Sequence, residues 1–351
     1  MFSRPTVLRV ACSIPVAACL AITLACSPSG SVDGEASAPS SRFLSIGTAP
    51  PGGAFFPVGG ALAEVLNAHP GDSAWQVTAE ATKGTQENLR RLDSGELDFA
   101  LANSAISYFA VRGEGAWEKE FPVRVVMTLA PNVALFIAPE GGGVESIADL
   151  RDRRVVLGPA GAGFEYFLGP IMGAHGVSYE DLSPLNATQT GAVDLLADGS
   201  AAAAFLGGAV PTASITQASS SQDITYVPFD GAAIDQLLDD YPFFDRATIP
   251  AGTYRGLDED FAGMNVGSMH LVTSAAVDEE LVYQVARTIW ENRAEVVEKH
   301  AAGKAINPRV VVRNTGTEFH PGAIRFYREI DLWPAEETAE PQADTPADAG
   351  E

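Results

Sequence analysis

Apolar positions along the chain switch repeatedly between two spacings. Phe43, Leu44 and Ile46 make a short apolar run, the stretch GTAPPGGAFFPVGG follows, and Val58, Leu62, Val65 and Leu66 then recur at helical spacing. A strand, a tight turn and a helix are therefore predicted over residues 43–67. Gly52 and Gly53 let the backbone turn, and Pro57 suits a first helical turn that has no use for its missing N–H. First-turn amides have no partners inside the helix, and with the macrodipole they favour a bound anion or carboxylate. The same grammar also builds any α/β crossover, so this unit alone does not specify a ligand.

The pattern then recurs. Val155, Val156 and Leu157 predict a second strand, GPAGAG a second loop, and Phe164, Phe167, Leu168, Ile171 and Met172 a second helical stripe. Pro170 interrupts that stripe and predicts a kink or an early stop. The segment TKGTQENLRRLDSGELDFALANS in the first half is answered by TQTGAVDLLADGSAAAAFLGGAVP in the second. In each, a helix ends at a glycine, Gly95 or Gly199, and a strand follows. One small α/β unit is used twice.

Between and after these repeats, Trp75, Val77 and Ala79 alternate as a strand, with Thr85 a candidate helix cap behind the loop Ala81 to Thr85. Leu97, Phe99 and Leu101 predict a strand closing at Asn103 and Ser104. Residues 124–129 and 133–137 read as strands split by Pro131 and Asn132, where the chain is expected to cross into a second domain. Residues 224–227 return it, with a second hinge near Asp230. An extended segment is expected over 247–254, a strand over 266–272, and one long helix over 278–300 with acids at its start and Lys299 and His300 at its end. The basic run 151–154 reads as a solvated turn.

The first 25 residues read as a signal peptide. Arg4 and Arg9 precede a mostly apolar run ending at Leu24, and the run is too short and too interrupted for a membrane span. TLAC resembles a bacterial lipobox, making Cys26 the lipidated first residue of the mature chain, with VAAC at Cys19 a competing match. Cleavage without a lipid is the alternative. The Ser, Pro, Gly and Ala run up to Ser41 makes 26–41 a flexible tether. All three cysteines (Cys12, Cys19, Cys26) fall in this segment, which leaves no thiol in the body for catalysis or metal binding.

A formal charge of −23 argues against nucleic acid as a partner. Residues 334–351 carry six acids and no bases and read as a disordered tail. An acidic protein that holds an anion must do so through local backbone dipoles. Five scattered histidines (His69, His175, His270, His300, His320) show no HExxH spacing, and GxSxG, SxxK and Walker sequences do not occur. Neither a metal nor a cofactor is expected. His320, in FHPG, reads as a local turn residue, while composition alone leaves a catalytic carboxylate pair open.

The blocks GTAPPGGAFFPVGGALAEVLN, ATKGTQENLRRLDSGELDFALANS, ADLRDRRVVLGPAGAGFE, DGAAIDQLLDDYPFFDRATIPAGTYRGLDED and FHPGAIRFYREIDLW resemble, in order, successive blocks of TAXI-type solute-binding proteins of TRAP (tripartite ATP-independent periplasmic) transporters. The resemblance covers nearly all of residues 43–333. It implies an α/β, two-lobed class II periplasmic-binding-protein fold, with lobe 1 formed by 42–131 and 231–333 and lobe 2 by 132–230. It also implies a non-enzymatic carrier in the periplasm or on the outer cell surface; the lipobox at Cys26 supplies the expected anchor, and a monomer is expected. Such a carrier takes a small carboxylate or amino-acid solute, of the glutamate or 2-oxo acid type, to a TRAP permease. A sensor module presenting its ligand to a receptor, or an exported hydrolase on the same architecture, would share these features.

Carried onto this sequence, the family's first-loop aromatic pair corresponds to Phe55 and Phe56, beside Gly53. The next turn corresponds to Thr82, Gly84 and Thr85, and the following strand end to Asn103 and Ser104. The second glycine loop corresponds to Ala160 through Phe164, thus Ala162, Gly163 and Phe164, and the last loop to Gly207, Gly208 and Ala209. The family often has tyrosines at Phe55 and Phe56, serine at Ala162 and threonine at Phe164. This cleft has therefore lost hydroxyl donors, which makes a less polar monocarboxylate as credible as the family's usual solutes. Lys83 is the one candidate counterion in these blocks, with a solvated turn as its plainer role.

Overall fold

A computed structural model describes residues 42–334 apart from 52 and 72–73. The signal peptide (1–25), the tether (26–41) with Cys26, and the acidic tail (334–351) beyond its first residue lie outside the described residues. In chain order the strands are β1 (Arg42–Gly47), β2 (Trp75–Glu80), β3 (Phe99–Asn103), β4 (Val123–Thr128), β5 (Val133–Pro139), β6 (Arg154–Val156), β7 (Ser183–Leu185), β8 (Ala203–Gly208), β9 (Ile224–Val227), β10 (Asp245–Ile249), β11 (Phe261–Asn265) and β12 (Met269–Ser274). The helices are α1 (Phe55–Ala68), α2 (Thr85–Asp93), α3 (Ser104–Ala110), α4 (Glu165–Ala174), α5 (Gln189–Ala197), α6 (Ala213–Ser221), α7 (Gly231–Asp240), α8 (Glu279–Glu291), α9 (Arg293–Lys299) and α10 (Pro321–Glu329).

Two sheets organise the molecule. One runs β2-β1-β3-β12-β4, the other β10-β11-β5-β8-β6-β7, with β9 also paired to β5. In the first, β1 is parallel to β2 and β3, while β12 is antiparallel to β3 and β4. The central strands are the continuously apolar ones: every residue of β3 (FALAN) is buried, as are the first six of β5 (VALFIAP). Such runs need cover on both faces, which the flanking helices supply. Each half is thus a helix-covered sheet, and the architecture is the two-lobed class II periplasmic-binding-protein fold.

The second boundary between the lobes lies elsewhere than the sequence suggested. Residues 231–265 do not return to lobe 1: β10 and β11 form an antiparallel ladder from Asp245↔Asn265 to Ile249↔Phe261, and β11 extends it onto β5 at Met264↔Ala134. The strand expected over 266–272 starts only at Met269, and Gly267 (φ 113°) lies between β11 of the second sheet and β12 of the first. The chain therefore crosses at 129–132 and again at 266–268. The two crossings are stitched together, with Leu129 N–H donating to Met269 O (2.7 Å), Met269 N–H to Ala130 O (2.9 Å) and Val266 N–H to Asn132 O (2.9 Å).

Two smaller expectations also change. The long helix is two, α8 and α9, because Asn292 (φ −105°, ψ 22°) leaves helical geometry and donates its side-chain amide to Thr288 O. Helix α4 continues past Pro170 to Ala174, since Ile171 and Met172 are fully buried and their packing overrides the proline's local cost. The glycine stops hold: Gly95 and Gly199 sit at φ 75° and 73° just beyond α2 and α5.

Candidate functional site

A cleft enclosing about 100 Å³ lies between the lobes. Lobe 1 contributes the loop before α1, the start of α2 and the end of β3. Lobe 2 contributes the loop before α4, the start of α5 and the end of β8, and the crossing strands supply Ala130, Pro131, Asn132 and Met269. Both repeats of the strand, loop and helix unit thus open onto one space. A cavity of about 150 Å³ accommodates benzene, so this smaller space admits no more than a very small solute with the lobes in this arrangement.

The lobes meet around it. A Cβ on Gly84 (φ 118°) would lie 3.5 Å from the Ala162 Cβ, and one on Gly163 (φ 90°) would lie 3.0 Å from the Ile106 Cδ1. Nearby, Tyr166 of α4 stacks on Trp117 from the loop after α3 (5.6 Å between centroids, 20° between planes) and packs on Phe109 of α3 at 5.5 Å. Burial between the lobes pushes the Tyr166 phenol above its ordinary pKa.

Among the residues singled out from sequence, Gly53, Phe55, Gly84, Thr85, Asn103, Ala162, Phe164, Gly207, Gly208 and Ala209 line the cleft. Four stand behind or beside it. Phe56 is 37% exposed, because neighbouring helical positions point about 100° apart. The Thr82 hydroxyl donates to Thr48 O (2.9 Å) and accepts from Gly84 N–H (3.1 Å), so it shapes the turn. Ser104 is fully buried, its N–H bound to Ser268 O (2.9 Å). Gly163 packs against Ile106 at the lobe contact.

Hydrogen bonding shows which polar groups remain for a ligand. Thr85 begins α2 rather than capping it, and its Oγ1 accepts from Asn103 N–H (3.0 Å), which leaves the hydroxyl proton free to donate. The Asn103 side chain donates to Gly267 O (2.9 Å) and accepts from Ala105 N–H (2.9 Å), so it is committed to the second crossing and to α3. Backbone amides of Thr85 and Gln86 in α2, and of Gln189 and Thr190 in α5, donate to no protein group among the described residues.

Sequence reasoning passed over Gln189. Its amide donates to Gly207 O (2.8 Å) and accepts from Gly207 N–H (3.3 Å) and the Ser214 hydroxyl (2.7 Å), fixing the end of β8 against α5 and α6. The internal repeat held the signal, since TQ at Thr188 and Gln189 answers TQ at Thr85 and Gln86. Lys83, read as a turn residue, is exposed yet lines the cleft, as do Ile106, Phe167, Phe205 and Met269. Among the described residues Lys83 is the one charged side chain in the wall, and no aspartate or glutamate stands there, although the chain holds 45 of them. No group of three or more His, Cys, Asp or Glu side chains converges among the described residues, and no helix there is long and apolar enough to cross a membrane.

The model of the NMT1-like family matches residues 46–330. The chain belongs to the NMT1-like family. That match spans both lobes and the whole cleft of this NMT1-like protein. Solved structures similar to it include the alkanesulfonate-binding protein SsuA from Xanthomonas axonopodis pv. citri bound to MOPS, with 15% identity over 84% of each chain and a TM-score of 0.43. The aliphatic sulphonate binding protein SsuA from Escherichia coli shares 13% identity over 84% of this NMT1-like chain and 80% of its own, with a TM-score of 0.43. A binding protein component of an ABC phosphonate transporter from Pseudomonas aeruginosa shares 11% identity over 75% of this chain and 79% of its own, with a TM-score of 0.48.

Proposed function

We propose that the protein captures a small organic anion, in the first instance a carboxylate, between its lobes outside the cytoplasm and delivers it to a TRAP-type membrane permease while anchored through Cys26. The carrying observation is the electrostatic contrast between molecule and cleft: a chain of formal charge −23 has a binding wall without a carboxylate, with one lysine and with unpartnered first-turn amides of α2 and α5. On this reading the first-turn amides at Thr85 and Gln189 and the Thr85 hydroxyl meet the anionic group, and Phe55, Phe164, Phe167 and Phe205 cover its carbon skeleton. Delivery to a TRAP permease rests on the resemblance of the sequence blocks to TAXI-type proteins.

A thermal-shift screen of organic anions and matched neutral compounds tests capture. A specific anion at a hundred times its dissociation constant should add about 2.7 kcal/mol of stability. If neutral analogues stabilise equally, the anion reading is wrong. Uptake of a labelled ligand into vesicles carrying a TRAP permease, dependent on added protein, tests delivery.

A further inference from the structure

Resting on the anion reading of the cleft, we infer that Asn132 is a specificity-determining residue: its side chain reads an uncharged hydrogen-bonding group on the captured acid, so that hydroxy acids are preferred to plain alkanoates. Asn132 stands on the first crossing, immediately before β5. Both of its backbone polar groups are taken, since its N–H donates to Asn265 Oδ1 (2.9 Å) and its carbonyl accepts from Val266 N–H (2.9 Å). What it offers the cleft is therefore its side chain, which is half-buried and has no partner among the described residues. Ala130 and Ala134, two residues to either side, line the cleft as well, as the two-residue period of extended chain requires. Both end at Cβ, so neither reaches over the amide between them. Asn265 braces this residue from behind: it is buried, and its Nδ2 donates to Ser268 Oγ (2.9 Å), which ties Asn132 to the second crossing.

The rest of the polar wall suits charge. First-turn amides of α2 come from lobe 1 and those of α5 from lobe 2, beside the hydroxyls of Thr85 and Thr188, with Lys83 nearby. All of these favour negative charge, whether one carboxylate meets them or two. Asn103 and Gln189 are committed to protein partners. Asn132 differs, because an amide carries two N–H donors and a carbonyl acceptor without a charge. Pro131 lines the cleft beside it, and the Pro131 carbonyl accepts no hydrogen bond among the described residues, which offers a second acceptor. A hydroxyl both donates and accepts, and so satisfies this pair. A methylene leaves the amide stripped of water when the lobes close, an ammonium leaves its N–H groups unused, and a carboxylate leaves both carbonyls unused.

Calorimetry on the full chain tests this with butanoate, 2-hydroxybutanoate and 3-hydroxybutanoate against the unaltered protein, Asn132→Leu and Asn132→Asp. At least one hydroxy acid should bind tenfold or more tighter than butanoate, and Asn132→Leu, close in size, should erase that preference while moving butanoate less than threefold. Asn132→Asp should weaken every acid at least tenfold, since its charge faces the anion. Unchanged affinities in a folded Asn132→Asp protein mean that the side chain points elsewhere and overturn the proposal. So does an equal loss of butanoate and hydroxy acid in Asn132→Leu, the mark of a structural role, or no preference for a hydroxylated compound at all. Succinate and 2-aminobutanoate separate the other groups of the wall. If either binds better than the hydroxy acids and keeps its affinity in Asn132→Leu, the helix amides or the Pro131 carbonyl read the second group and Asn132 does not. Should only the neutral pair butanamide and 3-hydroxybutanamide bind, anion capture fails, and the role of Asn132 stands or falls by whether Asn132→Leu erases the preference between those two.

Discussion

At the scale of single residues, Asn103 and His270 show how much depends on buried polar groups. Asn103→Ala removes the partner of both Gly267 O and Ala105 N–H in a buried setting. Each group left unpaired there costs about 1–3 kcal/mol, so urea denaturation should show a loss of at least about 2 kcal/mol. His270, on β12, is fully buried with its Nε2 beside the Thr315 hydroxyl (2.9 Å) and its Nδ1 without a partner among the described residues. Burial, assisted by the Arg313 charge, lowers its pKa to about 3. An unfolded histidine titrates near 6.5, so below that pH the unfolded chain binds a proton that the folded chain refuses. Stability is therefore full above about pH 6.5 and falls as pH drops toward 3, by up to about 1.4 kcal/mol per unit. Burial lowers His300 and His320 as well, and they add to the same slope. Denaturation at successive pH values from 7 to 4 should show this loss, and His270→Asn should flatten it.

At the scale of elements, the contacts between α3 and α4 can report the state of the cleft. Among the tryptophans Trp75, Trp117, Trp290 and Trp333, Trp117 stands at the lobe contact, stacked on Tyr166. Ligand-driven closure should shift emission to the blue, and Trp117→Phe should remove most of that change; an undiminished signal would assign it to another element. Gly163 approaches Ile106 so closely that Gly163→Val should hold the lobes apart, with affinity falling at least tenfold, about 1.4 kcal/mol, and the radius of gyration in solution rising. Element prediction succeeded where period and punctuation agreed. The apolar runs of β3 and β5 and the glycine stops after α2 and α5 could be read directly. It failed where a tertiary partner decided. Residues 245–249 alternate weakly and join lobe 2 because β11 offers them a ladder, and nothing local in AGMNVGSMHLV announces that two sheets share it.

At the scale of the whole molecule, the repeat made one α/β unit used twice legible in the sequence, while the two-lobed arrangement was what the resemblance to TAXI-type proteins implied. Residues of the cleft were legible where they sat in the glycine loops, and obscure where they came from the faces of ordinary elements, as with Phe205 on β8 and Met269 on β12. A side chain with a structural duty looked functional, as with Thr82, since a polar residue at a strand end reads the same whether it faces a ligand or braces a turn. The proposed attachment to a membrane through Cys26 is tested at this scale. Cys26→Ser should move it from the membrane fraction to the soluble fraction, and persistence in the membrane would refute the lipid assignment.

The side-by-side crossings have a mechanical consequence. Had the two connecting segments been separate, each lobe could slide, roll or swing about the other. Laced by amide hydrogen bonds from Leu129, Met269 and Val266, they behave as a two-ply ribbon that bends readily and shears poorly. Motion of the halves should then reduce to a single angle, and distances measured between several labelled pairs should all vary in step with it.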